Sequence, residues 1–133
     1  MSAIILIAAG DPQKLVRLRK LVEANGAIAL CASDSAETMH FFVRREPDMA
    51  LIHLDSRHDI GLELCRDMKK LRTVRHRAIL VVGARGLRAA AFDAGCDAFV
   101  ARHQEERQLS LAIHRFLNAN RITRTYASIE TVA

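Results

Sequence analysis

Five short apolar runs punctuate the chain at Ala3–Ala8, Ala27–Cys31, Met49–Leu54, Ala78–Val82 and Ala98–Val100. Each is the length of a strand, and stretches with helical periodicity separate them. Strict alternation of this kind, with connections of one helix each, leaves a parallel sheet as the arrangement available. Right-handed crossovers then place helices on both faces. The expected fold is α/β, a flavodoxin-like (βα)5 doubly wound sheet of five parallel strands.

The helices carry their own start and stop signals. Asp11 caps a helix that Pro12 enters in its first turn, and Leu15, Leu18, Leu21 and Val22 recur on one side until Asn25-Gly26 stops it. Asp34 with Glu37 three residues on resembles a capping box for a helix through Phe42 and Val43, closed before Pro47. A third helix is expected from Ile60-Gly61 to Leu71, with Leu62, Cys65 and Met68 on its inner edge. Ala89–Ala94 gives a short one ended by Gly95, and Leu109, Ile113, Phe116 and Leu117 share one face of the last. Residues 1–119 read as one domain, and residues 120–133, polar and without an apolar stripe, as a helix extension or linker to a further domain.

Composition narrows the classes of function. No run approaches the roughly 20 apolar residues of a membrane span, and no basic segment precedes the first strand as in a signal peptide, so a cytoplasmic protein is expected. Cys31, Cys65 and Cys96 lack disulfide or zinc spacing and read as reduced packing residues. The net charge of +5 is uneven: residues 1–60 hold seven Lys/Arg and eight Asp/Glu, residues 61–133 thirteen and seven. A basic half suits an acidic protein or a nucleic acid, and the run Lys69–Arg77 could dock an acidic partner or be a solvated helix end. There is one Tyr, no Trp, and no aromatic interleaving, so stacking on single strands is unsupported.

Chemistry in an open α/β sheet gathers where strands end. The third strand ends at His53 and Leu54, and Asp55, Ser56, Arg57, His58, Asp59 and Gly61 follow as a surface loop. His53 and Asp55 share one side of the strand by alternation. The His/Asp spacing matches no metal motif, and neither a nucleophile elbow nor a Ser–His–Asp arrangement is present. No catalysis, metal or cofactor is expected.

Five stretches in order resemble the receiver domains of two-component response regulators, over about residues 3–118. They are Ile5-Leu6-Ile7-Ala8, Asp11-Pro12, Pro47–Ile52, Gly61-Leu62-Glu63-Leu64-Cys65, and Asp93-Ala94-Gly95-Cys96-Asp97-Ala98-Phe99. The resemblance implies an acceptor Asp ending the third strand, an acidic pair holding Mg²⁺, a Thr or Ser after the fourth strand and a Lys after the fifth. Those positions fall here on His53, on Ala9 and Gly10 beside Asp11, on Gly83 and on Arg102. The expectation is a degenerate phosphoacceptor pocket of Ala9, Gly10, Asp11, His53, Asp55, Gly83 and Arg102, and signalling by phosphorylation-independent protein–protein contact. A two-residue gap would instead make Asp55 the acceptor, and a basic nucleic-acid-binding module is the third reading, with nucleic acid disfavoured for this domain. The family's switching face implies an interface through Arg88, Phe99, Arg107, His114 and Arg115, serving a protein partner or a homodimer. Receivers placed before an output domain, including those of diguanylate-cyclase (GGDEF) type regulators, are the architecture it resembles.

Overall fold

The computed structural model describes residues 2–71, 77–104 and 106–118. Strands β1 (Ile4–Ala8), β2 (Ile28–Ala32), β3 (Met49–His53), β4 (Ala78–Gly83) and β5 (Ala98–Ala101) alternate with helices α1 (Pro12–Ala24), α2 (Ser35–Arg44), α3 (His58–Leu71) and α4 (Arg88–Ala94). Helix α5 spans residues 106–118. The strands pair in parallel in the order β2-β1-β3-β4-β5, the expected flavodoxin-like arrangement. Most of the segment 69–77 beyond Leu71 and the tail from 119 on, including Arg121 and Arg124, lie outside the described residues.

Alternation along the strands divides the core into two layers. Leu6, Ala50, Ile52, Ile79 and Val81 face α2, α3 and α4, where Phe42, Leu62, Cys65, Met68 and Ala91 meet them. Ile5, Ile7, Met49, Leu51, Leu80 and Val82 face α1 and α5, represented by Leu18, Val22, Leu109 and Ile113. β3 and β4 are buried along their whole lengths, which is why both read as continuous apolar runs.

The helix signals act locally. Asp11 Oδ1 accepts from the Gln13 amide at 2.9 Å, and Pro12 occupies the first turn. Asp34 Oδ1 accepts from Glu37 N at 2.7 Å, while Glu37 Oε1 reaches back to Ser33 N, one residue before the cap. Gly95 ends α4 at φ 110°, a conformation L side chains rarely adopt. At the opposite edge of the sheet, Asp48 and Asp97 each accept from a neighbouring strand's first amides (Ile4 N at 2.8 Å, Ile79 N at 2.7 Å) and return their own amides to the same residues' carbonyls.

All five strands and α4 differ from the expected ranges by one residue at one or both ends, and α3 by two. α3 begins at His58 rather than Ile60, so His58 and Asp59 occupy a first turn and not a loop. Asp55 Oδ1 accepts from Arg57 N at 2.8 Å, and this side-chain turn directs the chain into the helix early.

Cys65 and Cys96 are buried and Cys31 is half-buried, all as free thiols. Burial first, then the Cys65 thiol and the Asp97 carboxylate, push Cys96 from 9.0 up to about 12. A raised thiol pKa favours the native state fully below the unfolded value, and that contribution fades as pH climbs from 9.0 towards 12. The urea midpoint should therefore fall across that interval, and a Cys96→Ala variant should show a shallower fall. An identical profile for both proteins would remove Cys96 as the cause.

Candidate functional site

The carboxyl ends of β1 and β3 and the amino ends of α2 and α3 enclose a cavity of about 360 Å³. Its floor is apolar, from Ala8, Ala9, Ala32, Ile52, Leu54 and Leu64, and its rim carries Ser33, Asp34, Ser35, Asp55 and Arg57. The hollow arises because Ala9 and Gly10 present almost no side chain where β1 ends.

His53 is the last residue of β3 and is buried, 7% exposed, on the side of the sheet shared with Met49 and Leu51. Leu54 takes the opposite side, 1% exposed, in the layer with Ile52 and Val81. Its amide donates to Val82 O at 2.7 Å, and its carbonyl accepts from Arg102 Nη2 at 2.6 Å. Its side chain is wedged between two glycines. A methyl group at Gly61 would overlap Leu54 Cδ2, and one at Gly83 would lie 3.1 Å from Leu54 Cβ and Cδ1.

The sequence-expected residues are partly brought together. Gly10 and Asp55 meet, since a methyl at Gly10 would lie 3.1 Å from Asp55 Oδ2. Gly83 and Arg102 both converge on Leu54 rather than on His53 or Asp55. Asp11 sits beside them in sequence, but its carboxylate caps α1. Asp55 accepts from the Arg57 amide, while the Arg57 guanidinium lies 3.9 Å from Asp59.

The expected interface residues separate. Arg88, His114 and Arg115 are exposed, and Arg88 stacks over the exposed Phe92 ring at 5.1 Å. Phe99 does not belong with them. It is 9% exposed and packs in the layer with Ala91, Ala94 and Cys96, because position 99 alternates inward on β5. Arg107 lies instead in a cleft with Arg17 of α1, since its helical position turns it towards that neighbour.

Leu54 was missed as a site residue because nothing local marks it. The available signal was the pair Gly61 and Gly83, two small residues at positions that flank the end of β3 in the fold.

Comparison with solved structures identifies the fold. A response regulator receiver domain protein from Clostridium thermocellum matches at a TM-score of 0.77 and 23% identity, covering 91% of this chain and 98% of its own. The corresponding protein from Methanospirillum hungatei JF-1 matches at 0.78 and 21%, covering 92% and 99%. NtrX from Brucella abortus matches at 0.79 and 17%, over 97% of this chain and 30% of its own. The chain therefore has the fold of a response-regulator receiver domain. No protein-family model matches it, nor does any curated protein.

Among the described residues, no helix is long and apolar enough to cross a membrane, and no three His, Cys, Asp or Glu residues are grouped to hold a metal ion.

Proposed function

We propose that this chain is a receiver-type signalling module of a two-component regulator that acts through protein–protein contact, without phosphoryl transfer to the end of β3. The observation that carries this reading is Leu54. In an active receiver the hydroxyl after β4 and the cation after β5 grip a phosphoryl group and bias a two-state face. Here the hydroxyl position is Gly83, pressed against Leu54, and the cation is Arg102, bonded to the Leu54 carbonyl. Both elements of the grip are engaged by a buried apolar residue.

The donor set does not fit the Mg²⁺ of that chemistry either. A hard divalent cation needs convergent oxygen ligands. Ala9 and Gly10 carry no side-chain oxygen, Asp11 is committed to a helix cap, and Asp55 alone remains near β1. His53, buried at the acceptor position, supplies a nitrogen where an acceptor Asp would supply oxygen.

The contact surface in this reading is α4 and α5 on either side of the edge strand β5, with Arg88 on Phe92 as its anchor on α4 and the exposed Arg115 on α5. Arginine and aromatic residues are over-represented among interface anchors. The chain's match to 30% of NtrX suits a module of a larger regulator, with the diguanylate-cyclase type as one such host.

Treatment with acetyl phosphate and Mg²⁺ tests the reading. Intact-mass measurement should show no phosphoryl adduct, and sedimentation should show self-association unchanged by the treatment. Reversing charge at Arg88 and Arg115 should weaken that association with thermal stability retained. A stoichiometric adduct mapped to Asp55 would replace this reading by phosphorylation at Asp55, the carboxylate facing Gly10.

A further inference from the structure

On the far side of Arg102 lies a second cavity, of about 330 Å³, lined by Arg17, Arg102, His103, Gln104, Glu106 and Arg107. It shares no lining residue with the cavity beside Asp55. Its walls come from three separate parts of the chain: α1, the turn after β5, and the start of α5. Three arginines line it against one glutamate. A fourth arginine, Arg85 from the turn after β4, stands behind His103 with Nη2 3.1 Å from His103 Nε2.

Gathering cations at one concave place works against folding, because like charges repel. Arg17, Arg102, His103 and Arg107 are all exposed, so a ligand can reach them from solvent. Two of them are nonetheless oriented from behind, Arg102 by the Leu54 carbonyl at 2.6 Å and His103 by Arg85. Held side chains lose less freedom when a ligand arrives. The volume lies within the range of small-molecule sites, about 300–1,000 Å³.

We propose that this cleft is a binding site for a small phosphate-bearing anion, of the diphosphate class, held non-covalently between α1 and the β5–α5 turn. Guanidinium groups arriving from different elements suit an anion with several oxygen faces, because each planar fork can pair with two oxygens. A concave pocket of this size favours a small polyanion over an extended acidic peptide. Among the described lining residues Glu106 alone is acidic, and its carboxylate opposes the ligand. The inference shares Arg102 with the signalling reading but concerns a different cleft, and its test is separate from that of the reading.

The test is a titration of isotope-labelled protein with sodium pyrophosphate, followed by backbone amide shifts, with sodium chloride at matched ionic strength as the control. Saturable shifts should cluster at residues 102–107 and around Arg17, with a dissociation constant below about 1 mM. Arg107→Glu should weaken binding by about tenfold or more, and Glu106→Gln should tighten it a few-fold. Both positions are exposed, so melting temperatures should stay close to the parent's. Non-saturating shifts, shifts reproduced by chloride, or variants that bind as the parent does would overturn the proposal. A duplex oligonucleotide that binds this surface while pyrophosphate does not would overturn it too, and assign the cleft to nucleic acid.

Discussion

Truncating Leu54 to alanine should lower the free energy of unfolding by about 2–5 kcal/mol. Domains of this kind hold only about 5–15 kcal/mol in total, so the loss is a large share of the whole. Leu54 is 1% exposed and fills the space between α3 and β4, so its removal leaves a cavity that two backbones must keep open. A second substitution makes the test sharper. Gly61→Ala ought to stabilise a helix by about 1 kcal/mol on propensity alone. In the parent, however, the added methyl overlaps Leu54 Cδ2, and Leu54 is blocked from behind by Gly83. Overpacking of that kind costs about 1–3 kcal/mol. Gly61→Ala should therefore destabilise the parent and stabilise the Leu54→Ala protein, a reversal of sign that denaturant titration of the four proteins would read directly. Additive effects would show that the two residues do not compete for one space.

Arg77→Ala should cost about 2–3 kcal/mol, although the change lies at a strand entrance and not in the sheet. Arg77 Nη1 donates to the Phe42 carbonyl at 2.7 Å, and its guanidinium lies 4.8 Å from the centre of the Phe42 ring. The residue thereby ties the end of α2 to the start of β4. A charged hydrogen bond to a carbonyl contributes about 1.5–3 kcal/mol, and a partly buried cation–π contact about 0.5–2 kcal/mol. The nearby Glu46 carboxylate, at 3.9 Å and 72% exposed, adds little. Glu46→Gln should accordingly shift stability by less than about 0.5 kcal/mol. Arg77→Lys should lose most of what alanine loses, since an ammonium cannot both stack on the ring and reach the carbonyl with a planar fork. Recovery of parental stability by lysine would mean that charge alone matters there.

Much of the architecture was legible because its signals are short-range. A cap needs only the residues of one helical turn, so Asp11 with Pro12, Asp34 with Glu37, and Gly95 could each be read from neighbouring residues. Strands announce themselves as continuous apolar runs, and five of them separated by single helices point to a doubly wound parallel sheet. That Ala9 and Gly10 carry no side-chain oxygen is plain from the residues, and only the resemblance to receivers gives those two positions a meaning.

What the sequence by itself determined, then, is the order and kind of every strand and α-helix among the described residues and which chemical groups stand where the strands end. The tertiary structure alone decided what those groups do. His58 and Asp59 were absorbed into α3 because the Asp55 side chain turned the chain early. Phe99 went inward because α4 covers its side of β5, and Arg107 came to line the cleft beside α1. Leu54 closed the space between Gly61 and Gly83, and Arg102 found the Leu54 carbonyl 48 residues away in sequence. The physical reason is the same in each case. Hydrogen bonds and van der Waals contacts act over a few ångströms of space, and a linear pattern records only the neighbours that are also close along the chain.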